Sequence, residues 1–520
     1  MRRTRAEAAA GRTLCVDLFA PGMTALHRVG LAGLAMTLQA LEVDGTASSL
    51  RDTGDWQVDE RGVTLKWTGD GKGFFDALIA ASFRLTDSGL IWLPALGHPL
   101  EYPGHAVVLH NAVLGTFLQH TSTRGACKQK RPFSVEVDEH IYTQTFLPLT
   151  WYKHQRVNFD PSRPMPVAGW LHPGGTVRHV WASAQTSLSE EPSRALALLY
   201  APVGAVYFQV HRRAVGIRPQ CCVVLPAVAD LRHYAEVRQC FLRQGVAQLQ
   251  VSGAAEAAVR VLAELEARNL LRALGARSCS VMAFGTAPWS KQQKTRVQCF
   301  TVAAATRHSL RIYRAAAQAL GPRLVPSKPD AETGEVRRWW AVPQVPDLVA
   351  QNAIEGAPWW KGFADLWDRM RQGAKPGQRE WVLQSEKEGL KLMIGNTALL
   401  DGPEARLVGA CQEAWRRRLG ALSERATRQG LNFSDLAKRE YERVRISFAR
   451  CKSAAMLRQT LTDFWSRAGS LPDLQEGWLE ILPMLANRWQ ETRDLALLAL
   501  ASYKGQPGDE DTKAEEEPNE

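Results

Sequence analysis

Hydrophobic positions along the chain follow two periods, and the places where one gives way to the other mark its organisation. Residues 14–19 (LCVDLF) form a short apolar run of strand formers, and Ala20-Pro21-Gly22 breaks it. From Thr24 to Leu41 apolar positions recur at helical spacing, with Leu26, Gly30, Leu34, Leu38 and Leu41 on one stripe. The opening reads strand, sharp turn, helix, and Thr24 is placed to cap the first turn. Gly30 and Gly33 each lower helix propensity by about 1 kcal/mol against alanine. That predicts a backbone in close approach to a neighbour, the adjacent strand being the expected partner.

Alternation of apolar and polar positions predicts a hairpin over 55–67, turning at Asp59-Glu60-Arg61-Gly62, and a second over 85–93. Helical spacing predicts helices over 74–83 and 104–120. Residues 133–137 read as a strand, and 196–199, 205–210 and 221–225 are apolar runs of strand or helix-end length. Helices follow over 231–244 and 254–274, then strands over 278–284 and 297–303. Prolines and the acidic patch 330–335 predict a linker over 322–347. Beyond it helical periodicity dominates, in segments 362–371, 379–393, 405–422, 434–449 and 474–501. The expected class is α+β, with mixed α/β N-terminal (1–150) and middle (151–321) regions followed by a C-terminal helical bundle (348–504). The tail 505–520, rich in acids and poor in apolar residues, is expected to be disordered.

At 520 residues with 45% hydrophobic content the chain can bury more than one core. Its net charge of +11 is uneven: the tail carries −6, so the remainder carries +17. That excess favours a polyanionic partner, nucleic acid or acidic protein. Nine dispersed cysteines without a C-x-x-C pair fit a reducing cytoplasm, with adjacent Cys221 and Cys222 as small core residues. No signal-peptide core follows Arg2, Arg3 and Arg5, and no run is long enough to span a membrane, so no membrane partner is expected.

Catalytic patterns are missing. The twelve histidines form no H-x-x-x-H or H-E-x-x-H, and His172 with His179 lacks neighbouring Cys or carboxylates at zinc spacing. Gly69-Asp70-Gly71-Lys72-Gly73 lacks both the spacing and the hydroxyl of a P-loop. With no G-x-S-x-G elbow and no carboxylate cluster of nuclease type, the expectation is a binding protein, not an enzyme, with no catalytic residue, metal or cofactor. Three places suit nucleic acid. Residues 124–131 hold Arg124, Lys128, Lys130 and Arg131 without an acid, cations able to displace counterions from phosphates. Arg212 and Arg213 follow an apolar run. Trp289, Lys291, Lys294 and Arg296 combine an aromatic that can stack on a base with cations for phosphates, at the turn between two strands. The nucleic-acid-binding candidates are thus Lys128, Lys130, Arg131, Arg212, Arg213, Trp289, Lys291, Lys294 and Arg296.

The run APGMTALHRVGLAGLAMTL, residues 20–38, following a short strand near the start of a chain of this length, resembles the N-terminus of the large subunit of the type I CRISPR surveillance complex (Cascade). More narrowly it resembles the MYXAN subtype, the family of fruiting body developmental protein T, and residues 279–300 are a second place of correspondence. The resemblance implies a cytoplasmic antiviral-defence subunit bound to crRNA and target DNA beside the other Cascade subunits. It also implies recognition of the target-adjacent motif and recruitment of a helicase-nuclease. In relatives the helical C-terminal part is also made separately as a small subunit, for which Met370 or Met393 offers a start. The other expected role is that of a developmental regulator needed for fruiting body formation and sporulation, acting through protein partners or gene-expression control.

Overall fold

The computed structural model describes residues 12–137, 139–167, 169–173, 188–211, 218–271, 274–286, 294–302, 305–327, 329, 336–374 and 383–503. The chain folds as two compact units. One comprises Met1–Arg212, Gly216–Leu310 and Pro322–Val342; the other comprises Arg213–Val215, Arg311–Gly321 and Pro343–Glu520. The first mixes sheet and helix and the second is helical, so the class is α+β, as the periodicity predicts.

In the mixed unit the opening strand Arg12–Asp17 pairs antiparallel with Gly62–Trp67, which pairs in turn with Gly54–Val58. The expected 55–67 hairpin is present. Its turn is held by the Asp59 carboxylate, which accepts from the backbone N–H groups of Arg61 (2.8 Å) and Gly62 (2.7 Å). The opening helix Ala25–Val43 then buries nearly a complete cylinder, Val29, Leu31, Leu34 and Leu38 being fully covered.

Its two glycines explain themselves here. A Cβ on Gly30 would lie 1.9 Å from the carbonyl oxygen of Ala197, and one on Gly33 would lie 2.3 Å from that of Tyr200. From the other side, a Cβ on Gly204 would lie 2.0 Å from the Val29 carbonyl oxygen. The close partner is therefore not a strand, as expected from the neighbouring sequence, but the helical pair Pro192–Leu199 and Ala201–Gly204. Glycine reports that a backbone comes close; it carries no information on which one.

A second sheet of five strands runs in the order Gln250–Val251, Val206–Val210, Arg218–Val228, Leu274–Thr286, Lys294–Val302. Only the first pair is parallel. Cys221 and Cys222 lie buried in its central strand. Helices Leu231–Leu242 and Ala254–Ala267 accompany it, the former capped by Asp230, whose carboxylate accepts from the N–H groups of Arg232 (2.9 Å) and His233 (3.3 Å). The residues expected as a linker carry an antiparallel pair, Arg323–Pro326 with Arg338–Ala341. Trp340 and Val342 from that segment join Val135 and Val246 in one apolar cluster.

The helical unit is arranged around Trp489–Ser502, whose residues 495–501 are all buried. Gly402–Gln429, Phe363–Gly373 and Phe433–Ala449 pack on it. Asp494 on this central helix accepts from the N–H groups of Gly362 (2.7 Å) and Ala364 (3.2 Å), capping Phe363–Gly373 from another helix. The single helix expected over 474–501 is two, Pro472–Asn487 and Trp489–Ser502, because the Arg488 backbone (φ −130°, ψ 41°) leaves the helical region. Between the expected helices lies a further one, Ala454–Ser466, capped by Ser453.

Candidate nucleic-acid interface

Strand register fixes where the strands that flank two of the candidate basic segments end. Gln209 pairs with Cys221, Cys221 with Phe284, and Phe284 with Arg296, forming one row across four strands. The last row at that end is Arg218, Thr286 and Lys294. Residues 212–217 connect Val206–Val210 to Arg218–Val228, and residues 287–293 connect Leu274–Thr286 to Lys294–Val302. Both connections are therefore rooted at the same end of the sheet. Neighbouring strands lie about 4.8 Å apart, so the four roots span about 14 Å. His211, at the root of the first connection, is fixed by its backbone N–H to Val251 (2.8 Å) and its Nε2 beside Gln250 Oε1 (2.7 Å); burial lowers its pKa.

The third segment reaches the same region through a hairpin. Arg131–Val137 pairs with His140–Phe146, and Gln144 Nε2 donates to Gln209 Oε1 (3.4 Å), one residue before the end of Val206–Val210. Arg131 stands two residues from Phe133, the cross-strand partner of Gln144, a distance of about 7 Å along the strand. Lys128, Lys130 and Arg131 are exposed. Arg124 is not part of that free charge: its half-buried guanidinium donates to the carbonyls of Leu118 and Leu114. Arg212, Arg213, Trp289 and Lys291 lie outside the described residues. Lys294 and Arg296 are described as strand backbone, at the first and third positions of Lys294–Val302.

The structure also assembles a group that sequence spacing did not reveal. His27, in the first turn of the opening helix, meets His172 and Glu190, with one ligand atom from each lying within 4.8 Å of the others. His27 is 1% exposed, and its Nε2 has no hydrogen-bond partner. That atom lies 3.7 Å from Glu190 Oε1, while Glu190 Oε2 accepts from Arg194 Nε at 2.5 Å. On the other side of the ring, Nδ1 accepts from the Thr24 backbone N–H (3.3 Å) and sits 2.7 Å from the Thr24 hydroxyl. Burial lowers the His27 pKa to about 4 against the opposing pull of Glu190, so the ring is neutral at pH 7. His172 and His179 were the pair that spacing drew attention to; the partners of His172 come instead from the distant helix and from the strand Ser189–Glu190.

The fold defines the chain as an α+β protein with a mixed sheet-bearing unit and a helical unit, the strands flanking 212–217 and 287–293 ending at one side of the sheet. Comparison with known proteins supplies the family. Residues 15–199 match the DevT N-terminal domain and residues 396–520 the DevT C-terminal domain. Over 95% of its length the chain is 31% identical to the CRISPR-associated protein Cas8a1/Csx13 of Myxococcus xanthus (strain DK1622), covering 89% of that protein. The chain belongs to this family of CRISPR large subunits, the family that residues 20–38 resemble. Among the described residues no helix is long and apolar enough to cross a membrane.

Proposed function

We propose that this chain is the non-catalytic large subunit of an RNA-guided CRISPR surveillance complex, binding crRNA and target DNA through its basic connections. In this reading it works in the cytoplasm with the other Cascade subunits, helps recognise the target-adjacent motif, and recruits the helicase-nuclease. The observation that carries the reading is the common root of 212–217 and 287–293 at one sheet end, with the exposed Lys128, Lys130 and Arg131 tied to the same strand by Gln144. Cations gathered within tens of ångströms can follow a phosphate backbone, and Trp289 offers a face on which an unpaired base can stack. Specificity then comes from guide–target pairing, the protein reading a short duplex element and stabilising separated strands by charge.

A tagged chain expressed with its genomic neighbours and purified at low salt tests this directly. The expected result is co-purification of the repeated backbone subunit with small guide RNAs, identified by sequencing. Recovery of protein partners free of RNA would overturn the reading and favour the developmental regulator.

A further inference from the structure

We propose that His27, His172 and Glu190 form a binding site for a divalent first-row metal ion, zinc being the best match. Two imidazoles and one carboxylate are a donor set that zinc uses when a fourth position is left to water or another ligand. The three donors come from separated parts of the chain, yet one atom of each lies within 4.8 Å of the others. Tetrahedral zinc with bonds of about 2.0–2.1 Å needs donors about 3.4 Å apart. The His27–Glu190 separation of 3.7 Å is already close to that, and the remaining contraction is within side-chain reach.

The second independent observation is the orphan atom. His27 is 1% exposed, and its Nε2, 3.7 Å from Glu190 Oε1, has no hydrogen-bond partner. A buried ring nitrogen in that position is disfavoured unless something else satisfies it. A metal ion does so and fits the surroundings on both flanks. With the Nε2 lone pair on the metal the ring takes the other tautomer: Nδ1 carries the proton and donates it to the Thr24 hydroxyl, 2.7 Å away, giving up the hydrogen bond it accepts from the Thr24 N–H in the metal-free ring. This is the outer hydrogen bond that orients ligating histidines. Glu190 is oriented in the same way, Arg194 holding Oε2 and leaving Oε1 toward the site.

The site also explains a local arrangement. Gly22, in the turn before the opening helix, adopts φ +85°, and a Cβ there would lie 3.3 Å from the Arg194 guanidinium. Turn, Arg194, Glu190 and His27 are thus packed as one assembly. A bound ion would link the opening helix to chain positions on both sides of residues 174–187. Because two of its donors are only partly buried, exchange with solvent metal needs no unfolding.

The full chain, stripped with EDTA and returned to metal-free buffer, is titrated with Co2+ and then with Zn2+. The expected result is one tight equivalent of Co2+ with the visible absorption of a low-coordinate site, displaced by Zn2+, and a melting temperature raised by Zn2+. His172→Ala and Glu190→Gln should each weaken binding by about tenfold or more, while melting in EDTA stays close to wild type. His140→Ala, at an exposed histidine elsewhere, should leave binding unchanged. Absence of a tight equivalent in the wild type, or equal affinity in the His172 and Glu190 variants, overturns the proposal. His27→Ala is not needed for the decision, since it removes a residue of the opening helix core.

Discussion

Burial of histidine in the mixed unit makes its stability depend on pH. His105, His110 and His154 are all but inaccessible, and desolvation lowers them from 6.5 to about 3, about 4 and about 3 respectively. His110 shows how the neutral ring is used: Nδ1 accepts from the Ile91 N–H (3.1 Å) and Nε2 donates to the Leu147 carbonyl (2.9 Å), joining the short strand Ile91–Trp92 to the connection after His140–Phe146. The unfolded chain protonates these rings near pH 6.5 and the folded chain does not, so the unfolded state binds more protons between about 4 and 6.5. Stability therefore falls as pH falls through that window, by up to about 3 kcal/mol for His110, and its contribution levels off below about 4. Asp494 in the helical unit works in the opposite sense: burial raises it to about 6, so its contribution is present below its ordinary value and lost as pH rises toward 6. Thermal melts from pH 7 to 4 should show the mixed unit losing stability, and His110→Gln should reduce the slope. A wild-type melting temperature that does not change across this range would refute the assignment.

At the scale of elements, the contact of the opening helix with Pro192–Leu199 and Ala201–Gly204 leaves no room for a methyl group. A Cβ at Gly30 overlaps a backbone carbonyl, which cannot rotate out of the way as a side chain can. Gly30→Ala should therefore destabilise by about 3 kcal/mol despite its better helix propensity. Gly420→Ala, in the long helix Gly402–Gln429, meets nothing within 4 Å and should stabilise by about 1 kcal/mol. Chemical denaturation of both variants checks the pair; similar stability changes would show that the approach is looser than described. This contrast marks what was legible in the sequence. Period and turn chemistry located the opening strand, the helix, the hairpin closed by Asp59, and the helical character after residue 348, because those signals are local. The partner of Gly30, the strand pair Arg323–Pro326 with Arg338–Ala341, and the break at Arg488 depend on residues far away in sequence or on a single backbone dihedral. No window of neighbouring residues contains that information.

At the scale of the whole molecule, the basic segments were legible as charge and the His27–His172–Glu190 group was not. Lysine and arginine clusters declare themselves along the chain, whereas three donors on separate elements become a group only after folding. The structure adds that the strands flanking two of these segments end together at one side of the five-stranded sheet, and the proposed shared track has a measurable consequence. If the connections rooted at one sheet end share a nucleic-acid track, each cation removed should release less counterion, and the losses should add, because the segments are separate enough to act independently. Lys291→Ala with Lys294→Ala should flatten the slope of log affinity against log salt by about 2, and Lys128→Ala with Lys130→Ala by a similar amount. The quadruple variant should lose about 4, with affinity at low salt falling at each step. Trp289→Ala should instead weaken single-strand binding by about 1–3 kcal/mol while leaving the salt slope unchanged, since stacking displaces no ions. Fluorescence anisotropy with single- and double-stranded oligonucleotides over a salt series distinguishes these outcomes. Additive slope losses would assign both segments to one track; a loss confined to the Lys128 pair would place the track on the Arg131–Val137 hairpin and remove the long hairpin from it.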